Sequence, residues 1–122
     1  PERCFEFVLA YHGYWARHSR LLHLRNSMSD RLDARMMQHR VDSTQPIIRL
    51  LVEQMDSNAD VVGSPAVSMA AMVMIGIERS VTIATDEHYP TMIGMVLGEN
   101  DERFSRPGAR LMELAIRDAR GE

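Results

Sequence analysis

Residues 5–18 read FEFVLAYHGYWARH, and the spacing of their apolar side chains decides the fold class. Two apolar stripes follow the three- and four-residue spacing of an α-helix, so this helix is expected to be buried over much of its circumference. The pattern predicts a helix over about residues 2–17 that packs against several neighbours. One stripe contains Phe5, Val8, Leu9, His12 and Trp15, and the other contains Phe7, Tyr11, Tyr14 and His18.

The same helical spacing continues towards the middle of the chain. It predicts a short helix over about residues 19–28 and a long helix over about residues 31–56, with Asp33 favourably placed in the first turn of the long helix. Pro46 lies inside the long helix. Because proline removes one backbone hydrogen bond and crowds the preceding turn, a kink or break is expected there.

In the second half of the chain, Ser64 and Pro65 predict the start of a fourth helix, since a capping hydroxyl precedes a proline at the first helical position. This helix, over about residues 65–84, is apolar almost all round and must therefore be covered on both sides. Two more helices are predicted over about residues 90–97 and 108–119. With no convincing strand, the sequence predicts an all-α fold with about six helices around one core.

The composition describes one ordinary globular domain spanning residues 1–122, with 45% apolar and 25% charged residues. The net charge of −3 argues against a free-standing nucleic-acid-binding protein. Cys4 is the only cysteine, which excludes an intrachain disulfide and favours a reducing, cytoplasmic setting. No apolar run approaches the length needed to cross a bilayer, so no membrane association is expected.

Metal and catalytic motifs are not evident. His12, His18 and His23 are six and five residues apart, so no pair shares a helix face as zinc ligands do in HExxH. Cys4 has no catalytic context, and no glycine-rich phosphate loop occurs. Glu78 is flanked by apolar residues on the fourth helix, where a satisfied helix acid is favoured over a catalytic acid. The sequence predicts no cofactor and no enzyme activity.

Arginines recur near the first two helices and could contact phosphate. Acidic residues are interleaved with them and would repel the same phosphates, so a solvated, ion-paired helix face is favoured over a nucleic-acid site. The arginines are Arg17, Arg20, Arg31 and Arg35, and the acids are Asp30, Asp33 and Asp42.

A ligand pocket and a solid core are both compatible with the aromatic and methionine residues. Phe7, Tyr11 and Trp15 can face the methionine-rich third and fourth helices, and ten methionines in 122 residues is a high number. Flat aromatic walls and adaptable methionines suit a pocket for apolar ligands. The same residues also make an ordinary core with methionine as filler. Spacing alone leaves both interpretations open.

The run from residue 14 to residue 47, YWARHSRLLHLRNSMSDRLDARMMQHRVDSTQPI, resembles the ligand-binding core of TetR-family transcriptional regulators, especially actinobacterial members. The similarity extends over about residues 5–55. The order and spacing of several short pieces carry it, since none of them is specific alone. They are Tyr14-Trp15, His18, Leu21-Leu22, Arg25-Asn26, Asp30, Asp33 and Gln45-Pro46-Ile47.

The resemblance implies an all-α domain that binds a small, apolar effector and pairs with a second copy through its last helices. Effector binding would release the full-length repressor from its operator. On this basis Asn26 would offer its amide to the polar end of the ligand. The implied pocket residues are Phe7, Tyr11, Trp15, Asn26, Met37 and Met72. The implied dimer residues are Val73, Ile77, Leu111 and Leu114.

One departure from the family pattern qualifies this hypothesis, and two alternatives remain open. No helix-turn-helix precedes Phe5, so operator DNA would be contacted only through a domain absent from this chain. The alternatives are a helical structural or interaction domain without a ligand, and a small helical enzyme that uses Glu78 or a histidine. A cavity of several hundred cubic ångströms beside Trp15 would distinguish a ligand-binding domain from a solid core.

Overall fold

The computed structural model describes residues 2–55, 64–86 and 105–122, which form five α-helices and no strand. The predicted all-α class is confirmed. The helix predicted over residues 90–97 lies outside the described residues. The helices are α1 (Glu2–Arg17), α2 (Ser19–Asp30), α3 (Ala34–Met55), α4 (Pro65–Thr85) and α5 (Ser105–Ala119).

The junction between α2 and α3 differs from the sequence prediction. Leu32 has a left-handed backbone conformation, with φ at 67°, and turns the chain between the two helices. The side-chain Oδ1 of Asp33 then accepts a hydrogen bond from the backbone N–H of Met36 at 3.0 Å. Asp33 therefore caps α3, which begins at Ala34, instead of lying inside its first turn.

Helix α3 is continuous across Pro46, so the predicted break does not occur. Pro46 is on the exposed side of the helix, where its ring meets solvent. The hydroxyl of Ser43 donates to the carbonyl of Arg40 at 3.1 Å one turn earlier. Beyond the proline, Ile47 packs against the core and Leu51 is buried in it. This packing beyond the proline stabilises the helix despite the missing hydrogen bond.

Helix α4 begins as predicted, since Ser64 Oγ accepts a hydrogen bond from the N–H of Val67 at 3.3 Å and Pro65 follows the cap. Its length corrects the expectation about membrane-crossing segments. Of the described residues, those of α4 alone form a helix long and apolar enough to cross a membrane, with a mean hydropathy of 1.5. That result concerns length and composition only. Its apolar residues Ala70, Met74, Ile77 and Val81 are buried inside the protein.

All five helices contribute to one apolar core. Helix α4 contacts α1, α3 and α5, whereas α2 packs mainly on α3. Helix α5 packs against α4 and α1 at Gly108, where a Cβ would make ordinary van der Waals contacts with Ile77 at 3.6 Å and Val8 at 3.7 Å. The buried apolar residues are Val8, Trp15, Leu22, Leu51, Val52, Met55, Ala70, Met74, Ile77, Val81, Ala109, Met112 and Ala115.

Candidate functional site

Glu78 on α4 is the centre of a polar arrangement that joins three helices. Only 9% of the residue is exposed. Its Oε1 accepts a hydrogen bond from Arg40 Nη2 on α3 at 2.7 Å and from Asn26 Nδ2 on α2 at 3.4 Å. A carboxylate removed from water needs such charged and polar donors to offset its desolvation. Glu78 therefore has the internal partners expected of a satisfied helix acid.

A second set of hydrogen bonds extends from Asn26. Its Oδ1 accepts from Arg25 Nε at 3.2 Å and from Arg25 Nη2 at 3.1 Å. Nη1 of the same guanidinium donates to Ser43 Oγ on α3 at 3.0 Å. We call Arg25, Asn26, Arg40, Ser43 and Glu78 the polar cluster. Because the Asn26 amide is engaged at both ends within this cluster, its hydrogen bonds orient Arg25 and Glu78.

Arg40 has a second acidic partner, Asp30, whose Oδ1 lies 3.2 Å from Nη1. Burial lowers the pKa of Arg40, but the hydrogen bond and negative charge of Glu78, together with Asp30, raise that pKa above its usual value overall. Arg40 is thus a permanent cation in the cluster. The shortest contact of Arg40 is the one with the buried Glu78, at 2.7 Å. The positive charge of Arg40 therefore balances the negative charge of the Glu78 carboxylate.

A cavity of about 340 Å³ lies beside Trp15. We call it the aromatic cavity, because α1 contributes aromatic side chains to its wall. Its volume falls within the range of small-molecule sites, which begins at about 300 Å³. The polar cluster forms part of the opposite wall. The lining includes Phe7, Tyr11, Tyr14, Trp15, Leu22, Arg25, Ser43, Thr44, Ile47 and Glu78.

The aromatic side chains of this wall are held by contacts with one another and with α2. The rings of Phe7 and Tyr11 are stacked, with centroids 6.2 Å apart. Trp15 is 1% exposed and meets the edge of His23 at 5.2 Å, while the guanidinium carbon of Arg25 lies 6.0 Å from its ring centroid. Burial raises the pKa of Tyr11, and the negative charge of Glu78 raises it further. The phenol therefore remains neutral at physiological pH.

A larger cavity of about 730 Å³ lies between α2, α3 and α4 on the other side of the cluster. We call it the interhelical cavity. Its lining is more charged, and Thr44 and Glu78 belong to the lining of both cavities. Glu78 of the polar cluster thus contributes to the walls of both cavities. The interhelical cavity is lined by His23, Asn26, Ser27, Asp30, Arg31, Arg40, Val41, Thr44, Ile48, Ile75, Glu78, Arg79 and Thr82.

The predicted pocket residues fall in several places. The three aromatic residues from α1 all line the aromatic cavity. Asn26 lies in the polar cluster and lines the interhelical cavity instead. Met37 is 41% exposed near the start of α3, and Met72 is 67% exposed on α4, so both lie outside the aromatic cavity. The α1 residues of that wall are Phe7, Tyr11 and Trp15.

The predicted dimer residues occur together in one groove of about 510 Å³ between α4 and α5. We call it the apolar groove. Leu111 is 62% exposed and Leu114 is 44% exposed on its α5 side. Val73 is partly buried, whereas Ile77 is 3% exposed and packs inside its own chain. Met72 also lines this groove.

Sequence reasoning missed the two arginines of the polar cluster. Arg25 occurs in the sequence motif Arg25-Asn26 without a predicted role, and no local pattern points to Arg40. The available signal was Glu78, since a carboxylate among apolar residues requires a cationic or hydrogen-bonding partner. The arginines whose positions suggest phosphate contacts are exposed instead. They are Arg17, Arg20, Arg31 and Arg35.

Within residues 2–55, 64–86 and 105–122, no group of three histidine, cysteine, aspartate or glutamate side chains could hold a metal ion. His23 instead lies with its Nε2 3.1 Å from the hydroxyl of Thr85. No protein-family model, curated protein or solved structure matches the chain.

Proposed function

We propose that this chain is the effector-binding and dimerisation domain of a TetR-like transcriptional repressor, in which a small apolar effector releases the full-length protein from operator DNA. The observation that carries the proposal is the aromatic cavity of about 340 Å³ beside Trp15. The role proposed is binding in the cytoplasm, with DNA contacted by a domain outside this sequence.

The chemistry of the cavity supports a ligand with an apolar body and one polar end. Aromatic side chains supply most of the apolar wall, and the side chains of Arg25 and Glu78 lie at one part of it. Ligand sites in proteins are mostly apolar with a few oriented polar groups. The hydrogen bonds within the polar cluster hold those groups in place before a ligand arrives, which limits the entropy lost on binding.

The cavity also suits a switch, because its wall is shared by α1, α2, α3 and α4. A ligand there contacts several helices at once and favours the arrangement in which its contacts are best. The operator-bound and operator-free states must differ in their affinity for the effector, since equal affinity shifts no population.

Dimerisation is proposed to occur through the apolar groove. A second copy would cover Leu111 and Leu114, which are exposed in the single chain. A twofold interface uses the same patch on both copies, so one groove meets its counterpart. The groove is also the specific observation behind a second candidate function, a helical interaction domain that binds a partner and no small ligand.

Tryptophan fluorescence tests the ligand proposal directly, because Trp15 is the only tryptophan. Titration with a collection of small apolar compounds is expected to change its emission and to raise the melting temperature. Ile47 lines the aromatic cavity, whereas its neighbour Ile48 lines the interhelical cavity. Ile47→Phe should therefore weaken binding by filling the aromatic cavity, and Ile48→Phe is the matched control.

Two outcomes count against this assignment. If Ile48→Phe blocks binding and Ile47→Phe does not, the ligand occupies the interhelical cavity. If no compound changes either the emission of Trp15 or the melting temperature, the helical interaction domain becomes the better explanation.

A further inference from the structure

We propose that the ligand of the aromatic cavity carries a carboxylate and that Arg25 binds it. The inference rests on the proposed ligand-binding function and names the chemical class of the effector. Its starting point is the surroundings of Arg25, which is 9% exposed and lines the cavity. Within the described part of the chain, its hydrogen-bond partners are Asn26, Ser43 and His39, none of which carries a negative charge.

The charge balance of the polar cluster leads to the same conclusion. The cluster holds two guanidinium groups, those of Arg25 and Arg40, and its one carboxylate, that of Glu78, pairs with Arg40 and not with Arg25. Asp30 also pairs with Arg40, but its side chain is 73% exposed and is largely screened by water. A buried charge without a counter-ion is costly, and a bound anion offsets that cost.

The guanidinium of Arg25 also has an N–H group that is not used in the hydrogen bonds of the cluster. Arginine has five N–H groups. Nε donates to Asn26, Nη2 donates once to Asn26, and Nη1 lies within reach of Ser43 and His39. These contacts leave the second hydrogen of Nη2 available to a ligand. A carboxylate there would gain a charge-assisted hydrogen bond, which is about twice as strong as a neutral one.

An amine is a poorer match, although Glu78 lines the same cavity. The Oε1 of Glu78 already accepts from Arg40 at 2.7 Å and from Asn26 at 3.4 Å. Its charge is balanced by Arg40, so the uncompensated charge at the cavity is positive. One positive charge matches a monoanion. The aromatic wall and the volume of about 340 Å³ suit a body the size of one ring with a short aliphatic chain.

Three probes with one carbon skeleton test the inference: 4-phenylbutyrate, 4-phenylbutan-1-ol and 4-phenylbutylamine. Binding to the full chain at pH 7 is measured by Trp15 fluorescence and by isothermal titration calorimetry. The acid is expected to bind at least tenfold more tightly than the alcohol, because it alone supplies the missing negative charge. The amine is expected to bind most weakly.

Variants of Arg25 then locate the interaction. Arg25→Gln is expected to lower the affinity for the acid to about that for the alcohol, so that the preference for the acid is lost. Arg25→Lys retains the positive charge and should keep part of the preference for the acid. The matched control is Arg20→Gln, which removes an exposed arginine from the same helix and should change neither affinity.

The outcomes separate this inference from the function on which it rests. Equal affinity for acid and alcohol overturns the carboxylate inference and leaves ligand binding intact. Tightest binding by the amine also overturns it, since Glu78 would then be the recognition group. If none of the three probes binds, the carboxylate inference fails, and the proposed function fails with it only if the wider compound collection also gives no binding. Should Arg25→Gln not fold, the wild-type ratio of acid to alcohol affinity decides.

Discussion

Helix α4 has two faces with opposite chemistry. One face holds a buried polar residue that stabilises the fold, and the other leaves apolar side chains exposed for contact with a partner. On the side of α2 and α3, Glu78 is 9% exposed and bonded to Arg40 and Asn26. On the side of α5, apolar residues remain in contact with water, with Met72 67% exposed and Leu111 62% exposed. Glu78 has its hydrogen-bond partners within the chain, whereas the exposed apolar side chains of the groove have no covering partner in the single chain.

This contrast reverses the usual expectation for a helix. Apolar surface gains roughly 25 cal/mol for each Å² removed from water, so the apolar groove can still gain free energy by association. Glu78 already has its hydrogen bonds with Arg40 and Asn26, and removing one partner of this buried ion pair would leave the other charge uncompensated. Substitutions on the polar face should therefore change the free energy of unfolding, whereas substitutions in the groove should change association.

The largest effect is expected at the polar face, from Glu78→Ala. The change removes the carboxylate that Arg40 and Asn26 contact. Loss of one partner of a buried ion pair costs about 3–5 kcal/mol, and the lower end applies because the side chain of Arg40 is 33% exposed. Urea denaturation should show a loss of about 3 kcal/mol. Glu53→Ala, at an exposed acid on α3, is the control, and an equal loss there would mean that the cluster contributes no special stability.

The next effect concerns association through the groove. Leu111→Glu places a charge on the proposed dimer interface and should weaken dimerisation by about 100-fold, or roughly 2.7 kcal/mol. Analytical ultracentrifugation measures it. Leu21→Glu is the matched control, because Leu21 is 69% exposed on α2, away from the groove. A monomeric wild-type chain, or equal weakening by both variants, would exclude the groove as the dimer interface.

A smaller effect on stability is expected at the N-terminus of α4, the helix that carries both faces. Ser64→Ala removes the hydroxyl that caps α4 through the N–H of Val67. Loss of such a cap costs about 1 kcal/mol. Thermal denaturation of Ser64→Ala is compared with that of Ser68→Ala, which changes an exposed serine within the helix. Equal stability of the two variants would show that the cap contributes little.

The smallest effect is confined to alkaline pH. The pKa of Tyr11 is raised in the folded protein, chiefly by burial, so above pH 10 the unfolded chain loses this proton before the folded one does. Stability is therefore complete below about pH 10 and falls as the pH rises through the folded-state pKa. Tyr11→Phe should reduce this fall in urea denaturation between pH 9 and pH 11, and Tyr14→Phe, at a 45% exposed tyrosine, is the control. An unchanged slope in Tyr11→Phe would contradict the expectation.

Local patterns predicted most of the helices. Two apolar stripes placed α1 over residues 2–17, and the structure begins and ends it there. Ser64 and Pro65 marked the start of α4 correctly. These predictions succeed because helical hydrogen bonds and caps join residues only three or four positions apart. The break expected at Pro46 failed because packing of α3 on the core outweighs a single lost hydrogen bond.

The candidate site is formed by contacts between residues that are far apart in the sequence. The aromatic residues of α1 could be predicted as one wall because helical spacing alone puts them on neighbouring stripes. No local rule links Arg40 to Glu78, 38 residues later in the chain. Asn26 was expected to meet a ligand with its amide, yet the structure directs that amide to Arg25 and Glu78.

The sequence by itself determined that this chain is helical, where the described helices α1 and α4 begin, and which residues of α1 form an aromatic wall. Tertiary structure alone decided that α2, α3 and α4 bring two arginines and one carboxylate together beside a cavity, and that α4 and α5 leave an apolar groove exposed. The physical reason is the sequence separation over which each interaction acts. Periodicity and capping act within one or two helical turns, whereas charge pairing and cavity shape depend on the register in which separate helices pack.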